Sequence, residues 1–337
     1  MLKILKYSAL IFCSALLLIG HSPYISIKLY NTLNNGLGDL YKKSNLTAFK
    51  YKRETCGEKF TNSNKPGGTN LFLIGDSFFE GLYNNSAGFK NVDNVYFVHW
   101  QKQLTIPELP KNARNILVYE SVERYLFAKY DTANIVINPA VKEFTYDNPI
   151  SSKGFTKIMS IESNEFTLNL ILFMDKFSLW VKDFKGDFNY KYFNRLDENI
   201  QLSTDKKYLF NYAEINGTSS SFEKIRPGYL DTTVNYFNNH YQHYKRMGFN
   251  EIYLTVIPNK VSVIAPTFDN KQYNHFADQI KNSPKLQVPF IDIYAQMKAA
   301  NETKEIFFRN DTHWNCAGQQ VFIDYLNNTV LSKQPQN

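Results

Sequence analysis

The chain of 337 residues is long enough for one large α/β domain or two small ones. Hydrophobic residues make up 43% and charged residues 20%, which supports a full core and excludes a disordered chain. The formal net charge of +7 comes from scattered lysines with no dense basic stripe, so nothing points to nucleic acid. Aromatic residues, at 16%, fill ordinary cores and leave rings for flat, carbohydrate-type surfaces.

At the N-terminus, Lys3 and Lys6 precede the apolar run Tyr7–Gly20. That run is short for a membrane span but long enough for the hydrophobic part of a signal segment. Gly20–Pro23 make a poor cleavage pattern. Residues 1–22 therefore read as an uncleaved signal anchor or a weakly marked signal peptide. Either way the body is expected to be exported, to the periplasm or cell surface, and on the anchor reading it is held to the membrane by residues 7–20. Phe12 before Cys13 argues against a lipoprotein acceptor. The exported body then holds Cys56 and Cys316, compatible with a disulfide in an oxidising compartment and equally with two separate buried thiols.

Residues 23–68 read as a membrane-proximal linker, with a short helix over Tyr24–Leu33 and a turn cluster at Asn64–Gly68. From residue 69 the pattern is that of a doubly wound α/β domain. Asn70–Ile74, Val95–Trp100 and Asn115–Glu120 are near-continuous apolar runs, as expected of parallel strands covered on both faces. A helix starts near Ser77 after the first strand. Residues 131–231 break this rhythm and read as a large helical and irregular insertion. Within it, Leu170, Phe173, Phe177, Trp180, Val181 and Phe184 fall on one face of a helix over Glu165–Phe184, a pattern of core or lid packing. Phe188–Tyr212 reads as a hairpin or an irregular cap. The α/β pattern resumes with a helix carrying Val234, Phe237, Tyr241, Tyr244 and Met247 and ending at Gly248. Ile252–Ile257 is the fourth strand, Tyr273, Phe276 and Ile280 mark a helix, and Pro289–Tyr294 is the fifth strand. Ala317–Leu331 closes the chain as a helix. The expected architecture is a three-layer α/β sandwich on a parallel five-stranded sheet.

Two stretches carry chemistry. Leu71–Ser77 (LFLIGDS) is a strand that stops abruptly and offers a serine at its carboxyl end. Phe307–Gly318 (FFRNDTHWNCAG) places Asp311 two residues before His313. An aspartate can hold one ring nitrogen of a histidine and leave the other to take a proton from a hydroxyl nucleophile. In an open parallel sheet, ligands sit beyond the carboxyl ends of the strands, so Ser77 and the Asp311–His313 loop are expected at the same edge. A serine opening a helix also has its own N–H, and that of Phe78, available for a developing oxyanion. Asp76 is expected to hydrogen-bond the loop.

These blocks resemble the SGNH (GDSL-type) hydrolase superfamily over roughly residues 71–130 and 232–331. Within it, Asp311-Thr-His313-Trp314 is similar to the Asp-x-His-Trp block of the alginate-type polysaccharide O-acetyltransferases. Tyr119–Arg124 and Val256–Lys260 also resemble segments of those enzymes. The serine precedes the Asp-His loop, which is the ordinary superfamily order. The glycine and Gly-x-Asn-Asp blocks that usually complete the oxyanion hole are missing, and Arg124 is the candidate replacement. Its structural alternative is a pairing with Glu120 or Glu123.

The resemblance implies Ser77 as acyl-carrying nucleophile, His313 as general base and acid, and Asp311 as orienter. It also implies a polysaccharide acceptor and an acetyl donor delivered by a membrane acyltransferase partner, with no cofactor. Transfer to water instead would make a carbohydrate acetylesterase. Loss of turnover would leave a glycan-binding or assembly protein. His99, Trp100, Trp314 and Lys260 are further substrate-contact candidates, each with packing or solvation as the alternative. His240 and His243 sit three apart on a helix, with no carboxylate or cysteine to complete a metal site.

Overall fold

The structure is a computed structural model and describes residues 2–21, 36–63, 68–126, 135–141, 143–146, 176–217 and 220–333. The chain divides into two compact units, one of residues 1–53 with 148–197 and the other of residues 54–147 with 198–337. The expected helix over Tyr24–Leu33 lies outside the described residues.

The larger unit is built on a five-stranded, all-parallel sheet of β1 (Thr69–Gly75), β2 (Asn94–His99), β3 (Arg114–Val122), β4 (Glu251–Ile257) and β5 (Phe290–Ile291). In space the order is β5-β4-β3-β1-β2. The apolar runs predicted this, because a strand buried on both faces needs apolar side chains at every position. On β1, Leu71 and Leu73 enter the core on one face, and Phe72 and Ile74 enter the core on the other. Ile116 and Val118 alternate with Leu117 and Tyr119 in the same way on β3. The first face is covered by α1 (Ser77–Asn84), α3 (Tyr294–Asn301) and α4 (Cys316–Leu326). The second is covered mainly by α2 (Tyr229–Met247), whose Val234, Phe237 and Tyr244 are buried and which ends at Gly248 with φ +97°.

At the amino ends of the strands a ladder of side-chain amides ties the register. Asn94 donates to Asn70 and Asn70 donates to Asn115, each at 2.8 Å. The fifth strand is shorter than its apolar pattern suggests. It stops at Ile291, where Asp292 turns the chain by accepting the Tyr294 N–H.

The described residues between β3 and α2 include further strands. Ile135–Ile137 pairs parallel with Leu104–Ile106, which pairs antiparallel with Thr145–Tyr146. A hairpin of Ile200–Leu202 and Leu209–Asn211 follows, so the aromatic stretch after residue 188 is helix to Phe193 and hairpin beyond. Phe210 and Ile215 pack with Val261, Phe268 and Tyr273 in a small core of their own.

In the smaller unit, Lys176–Phe193 is a helix. Its described buried side chains are Leu179 and Asp183, whereas Trp180, Val181 and Phe184 are exposed. The packing stripe expected there is thus corrected. The buried side pairs apolar Leu179 with a polar contact: Asp183 accepts from Tyr41 Oη at 2.7 Å and from Lys50 Nζ at 2.6 Å. Leu170 and Phe173 lie outside the described residues. Leu2–His21 is also helical, with Leu10, Ile11 and Phe12 exposed. Among the described residues no helix is long and apolar enough to cross a membrane.

Candidate active site

β1 runs straight into the site. Its last residue, Gly75, is followed by Asp76 and then by Ser77 as the first residue of α1. Asp76 caps that helix: its Oδ1 accepts the Phe78 N–H at 2.8 Å. The Phe78 N–H, expected to face an oxyanion, is therefore committed to the cap, which corrects that assignment. The Phe78 ring is buried, 4.6 Å from the His313 ring and 5.2 Å from Trp314. It is a floor beneath the imidazole.

Ser77 Oγ and His313 Nε2 are 2.7 Å apart, although the residues are 236 positions apart in sequence. On the other side of the ring, His313 Nδ1 and Asp311 Oδ1 are 2.5 Å apart. The same carboxylate oxygen accepts the His313 backbone N–H at 3.0 Å. One aspartate thus fixes both the loop and the ring. Its burial keeps water from competing, while Ser77 is exposed toward solvent. With Nδ1–H donated to Asp311, Nε2 is left as the acceptor for the serine proton.

The loop is gripped from outside. Lys260, expected at a substrate or in solvent, is fully buried, which corrects that expectation. Its Nζ donates to the carbonyls of Asp311 at 2.8 Å and Phe308 at 3.2 Å, over the rings of Tyr208 and Phe210. Beyond His313, Cys316 opens α4 and is disulfide-bonded to Cys56, so the two thiols do pair. The Glu54 carboxylate accepts the Cys316 N–H at 3.2 Å. Trp314 is buried against Phe78 and Phe322 and is a packing residue.

On the neighbouring strands, His99 pairs with Gly75 across β2 and β1 and so sits at the carboxyl edge beside the serine. Its Nδ1 accepts the Gln101 N–H at 3.1 Å. Trp100 is buried in the core of the α2 face and does not reach that edge as a contact surface. The His240 ring lies in the same aromatic cluster, between Trp100, Tyr119 and Tyr236, and burial pushes the neighbouring His243 down from its ordinary value.

Arg124 follows β3 with its guanidinium 5.6 Å from the Phe78 ring centre. Its ion-pair partner is Glu214, at 3.1 Å, and neither Glu120 nor Glu123. Burial works against its charge, but fully buried Glu214 more than offsets this and holds Arg124 above its ordinary value. Glu123 is a buried hub that accepts from Ser221, Ser262, Tyr273 and the Asn259 N–H. Burial pushes its carboxyl up and these donors oppose the shift. The sequence offered Glu123 only as a partner for Arg124 and gave no role to Glu214. A glutamate in an otherwise apolar strand end was the one available signal.

A parallel α/β sheet that brings a post-strand serine onto a histidine and an aspartate from one late loop is consistent with an SGNH-like fold. The family model described as an SGNH hydrolase-like domain of acetyltransferase AlgX matches residues 255–336. That segment, about a quarter of the chain, runs from within β4 through α4 and contains Asp311 and His313. The chain is similar there to the alginate-type acetyltransferases, as its Asp-x-His-Trp block indicated, and the similarity supports an acyltransferase or hydrolase class of activity. No curated protein and no solved structure matches the chain significantly.

Proposed function

We propose that this chain is an exported O-acetyltransferase that carries an acetyl group on Ser77 and delivers it to a hydroxyl of a cell-surface or exopolysaccharide. The observation that carries the reading is the hydrogen-bonded line from Ser77 Oγ through His313 to Asp311, at 2.7 and 2.5 Å. In this scheme Ser77 Oγ attacks the acetyl carbonyl as its proton passes to His313 Nε2. Asp311 stabilises the imidazolium, and the donor alcohol leaves with that proton. An acceptor hydroxyl then gives its proton to His313 and attacks the acetyl-serine, which frees the enzyme. The oxyanion is met by the Ser77 N–H, in the first turn of α1 where helix N–H groups lack intrahelical partners, and by the Arg124 guanidinium. His99 flanks the acceptor side.

Two further parts of the proposal rest on other supports. Export is supported by Lys3 and Lys6 ahead of the apolar run, and by a disulfide in the body of the chain. A membrane acyltransferase that supplies the acetyl donor is supported by the resemblance to the alginate-type enzymes. No step of a serine acyl transfer requires a cofactor.

The test is to supply a surrogate acetyl ester with a saturating oligosaccharide acceptor. Acetylated oligosaccharide is the expected product, lost in Ser77→Ala. Free acetate alone would make the chain an acetylesterase. Failure of a fluorophosphonate probe to label Ser77, under conditions that label esterases, would favour a glycan-binding role.

A further inference from the structure

Glu120 ends the apolar run of β3 and is fully buried beside the nucleophile turn. Its Oε1 accepts the Asp76 N–H at 2.7 Å. Its Oε2 has no N–H or O–H donor among the described residues. The group that its carboxyl meets instead is the side chain of Asp76. The approach depends on Gly75, where a Cβ would lie 2.5 Å from Glu120 Cγ. Asp76 has a fixed task of its own, since its Oδ1 caps α1.

The charges around this pair do not allow two anions. Asp76 faces Glu120 from the β1–α1 turn, and Arg124 faces it from the segment after β3. Arg124 is already ion-paired with buried Glu214. A second buried carboxylate would cost several kcal/mol in desolvation and would add repulsion from Asp76. One proton held between the two carboxyl groups removes both costs and gives the orphaned oxygen a role. Burial and then the charge of Asp76 push the Glu120 carboxyl well above the usual carboxylate range.

We infer that Glu120 is a positioning residue: as the neutral acid it donates to the Asp76 carboxylate while accepting the Asp76 N–H, and this two-point grip fixes the turn that presents Ser77. The grip is a property of the fold. Its effect on turnover rests on the reading of Ser77 as nucleophile.

Glu120→Gln isolates the idea, because an amide can donate to Asp76 and accept its N–H but has no proton to lose. Glu120 binds its proton more tightly in the folded chain than in the unfolded one. The stability it contributes is therefore full below its ordinary value of 4.5 and is lost as the pH rises through its raised folded value. The wild-type Tm should decline over that interval, and the Glu120→Gln Tm should decline less. Above pH 4.5, where a free glutamate has lost its proton, the wild type should also show a carboxylic-acid carbonyl stretch in the infrared that Glu120→Gln lacks. Fluorophosphonate labelling of Ser77 should fall as the pH rises through that raised value in the wild type but not in Glu120→Gln. Glu120→Ala should label roughly tenfold or more slowly, the loss of about one charge-assisted hydrogen bond. Parallel Tm–pH curves for wild type and Glu120→Gln, or no such infrared band, would overturn the inference even if Glu120→Ala does not fold. Divergent curves with no labelling of Ser77 would uphold the grip and instead remove the proposed function.

Discussion

Replacing Lys260 by methionine tests how the catalytic loop is held. The variant keeps an unbranched apolar stem out to Cε and removes the ammonium beyond it. Two carbonyls, of Asp311 and Phe308, lose donors at 2.8 and 3.2 Å in a fully buried site. Each orphaned acceptor costs about 1–3 kcal/mol, so the gross loss is about 2–6 kcal/mol. Methionine recovers part of this, because the desolvation cost of burying an ammonium disappears, although the approach of Nζ to the Tyr208 and Phe210 rings is lost with it. The expected net destabilisation is about 2–4 kcal/mol, read as a lower urea midpoint at unchanged slope. The same change frees the backbone that carries Asp311, so labelling of Ser77 by a fluorophosphonate should slow by roughly tenfold or more even at temperatures where the variant is folded. A Lys260→Met protein within about 0.5 kcal/mol of wild type, labelled at the wild-type rate, would refute the reasoning.

Two other outcomes follow from the same geometry. The Cys56–Cys316 bond closes a span of 260 residues, so the loop-entropy relation gives a loss of about 5.6 kcal/mol on reduction or on Cys56→Ser/Cys316→Ser, seen as a lower denaturation midpoint; an unchanged midpoint would contradict it. Arg124→Met should lower kcat by roughly a hundredfold as the proposed oxyanion donor is lost, and should also destabilise the fold by removing the cation that faces fully buried Glu214. The double variant Arg124→Met/Glu214→Leu should recover stability but not kcat. Recovery of both would make Arg124 purely structural.

The parts of this molecule that could be read from sequence are those whose physics is local. Strands buried on both faces announce themselves as continuous apolar runs, and Gly-Asp-Ser and Asp-x-His carry their chemistry in adjacent residues. The sheet and its edge were legible for that reason. Lys260 was not, because its partners are backbone carbonyls about fifty positions away, and a lysine after a strand-ending Pro258 ordinarily points to water. Trp100 and Trp314 were candidates for substrate contact, but three-dimensional packing on either side of the sheet buries both. Phe78 shows a different failure. The aspartate before Ser77 is a favoured helix N-cap, and that preference predicts where the Phe78 N–H goes. In the helix Lys176–Phe193 the hydrophobic periodicity pointed to one face, while Asp183 is buried on another by Tyr41 and Lys50. A buried carboxylate leaves no mark in hydrophobic periodicity.

The central claim is that His313 turns the Ser77 hydroxyl into an acyl acceptor. It is tested most directly by mixing the purified chain with an activated acetyl ester, quenching in acid and mapping the peptides by mass. The account predicts one acetyl group on the peptide that contains Ser77, absent in Ser77→Ala and strongly reduced in His313→Ala. An acetyl group found elsewhere, or one on Ser77 that forms equally fast without the imidazole, would contradict it.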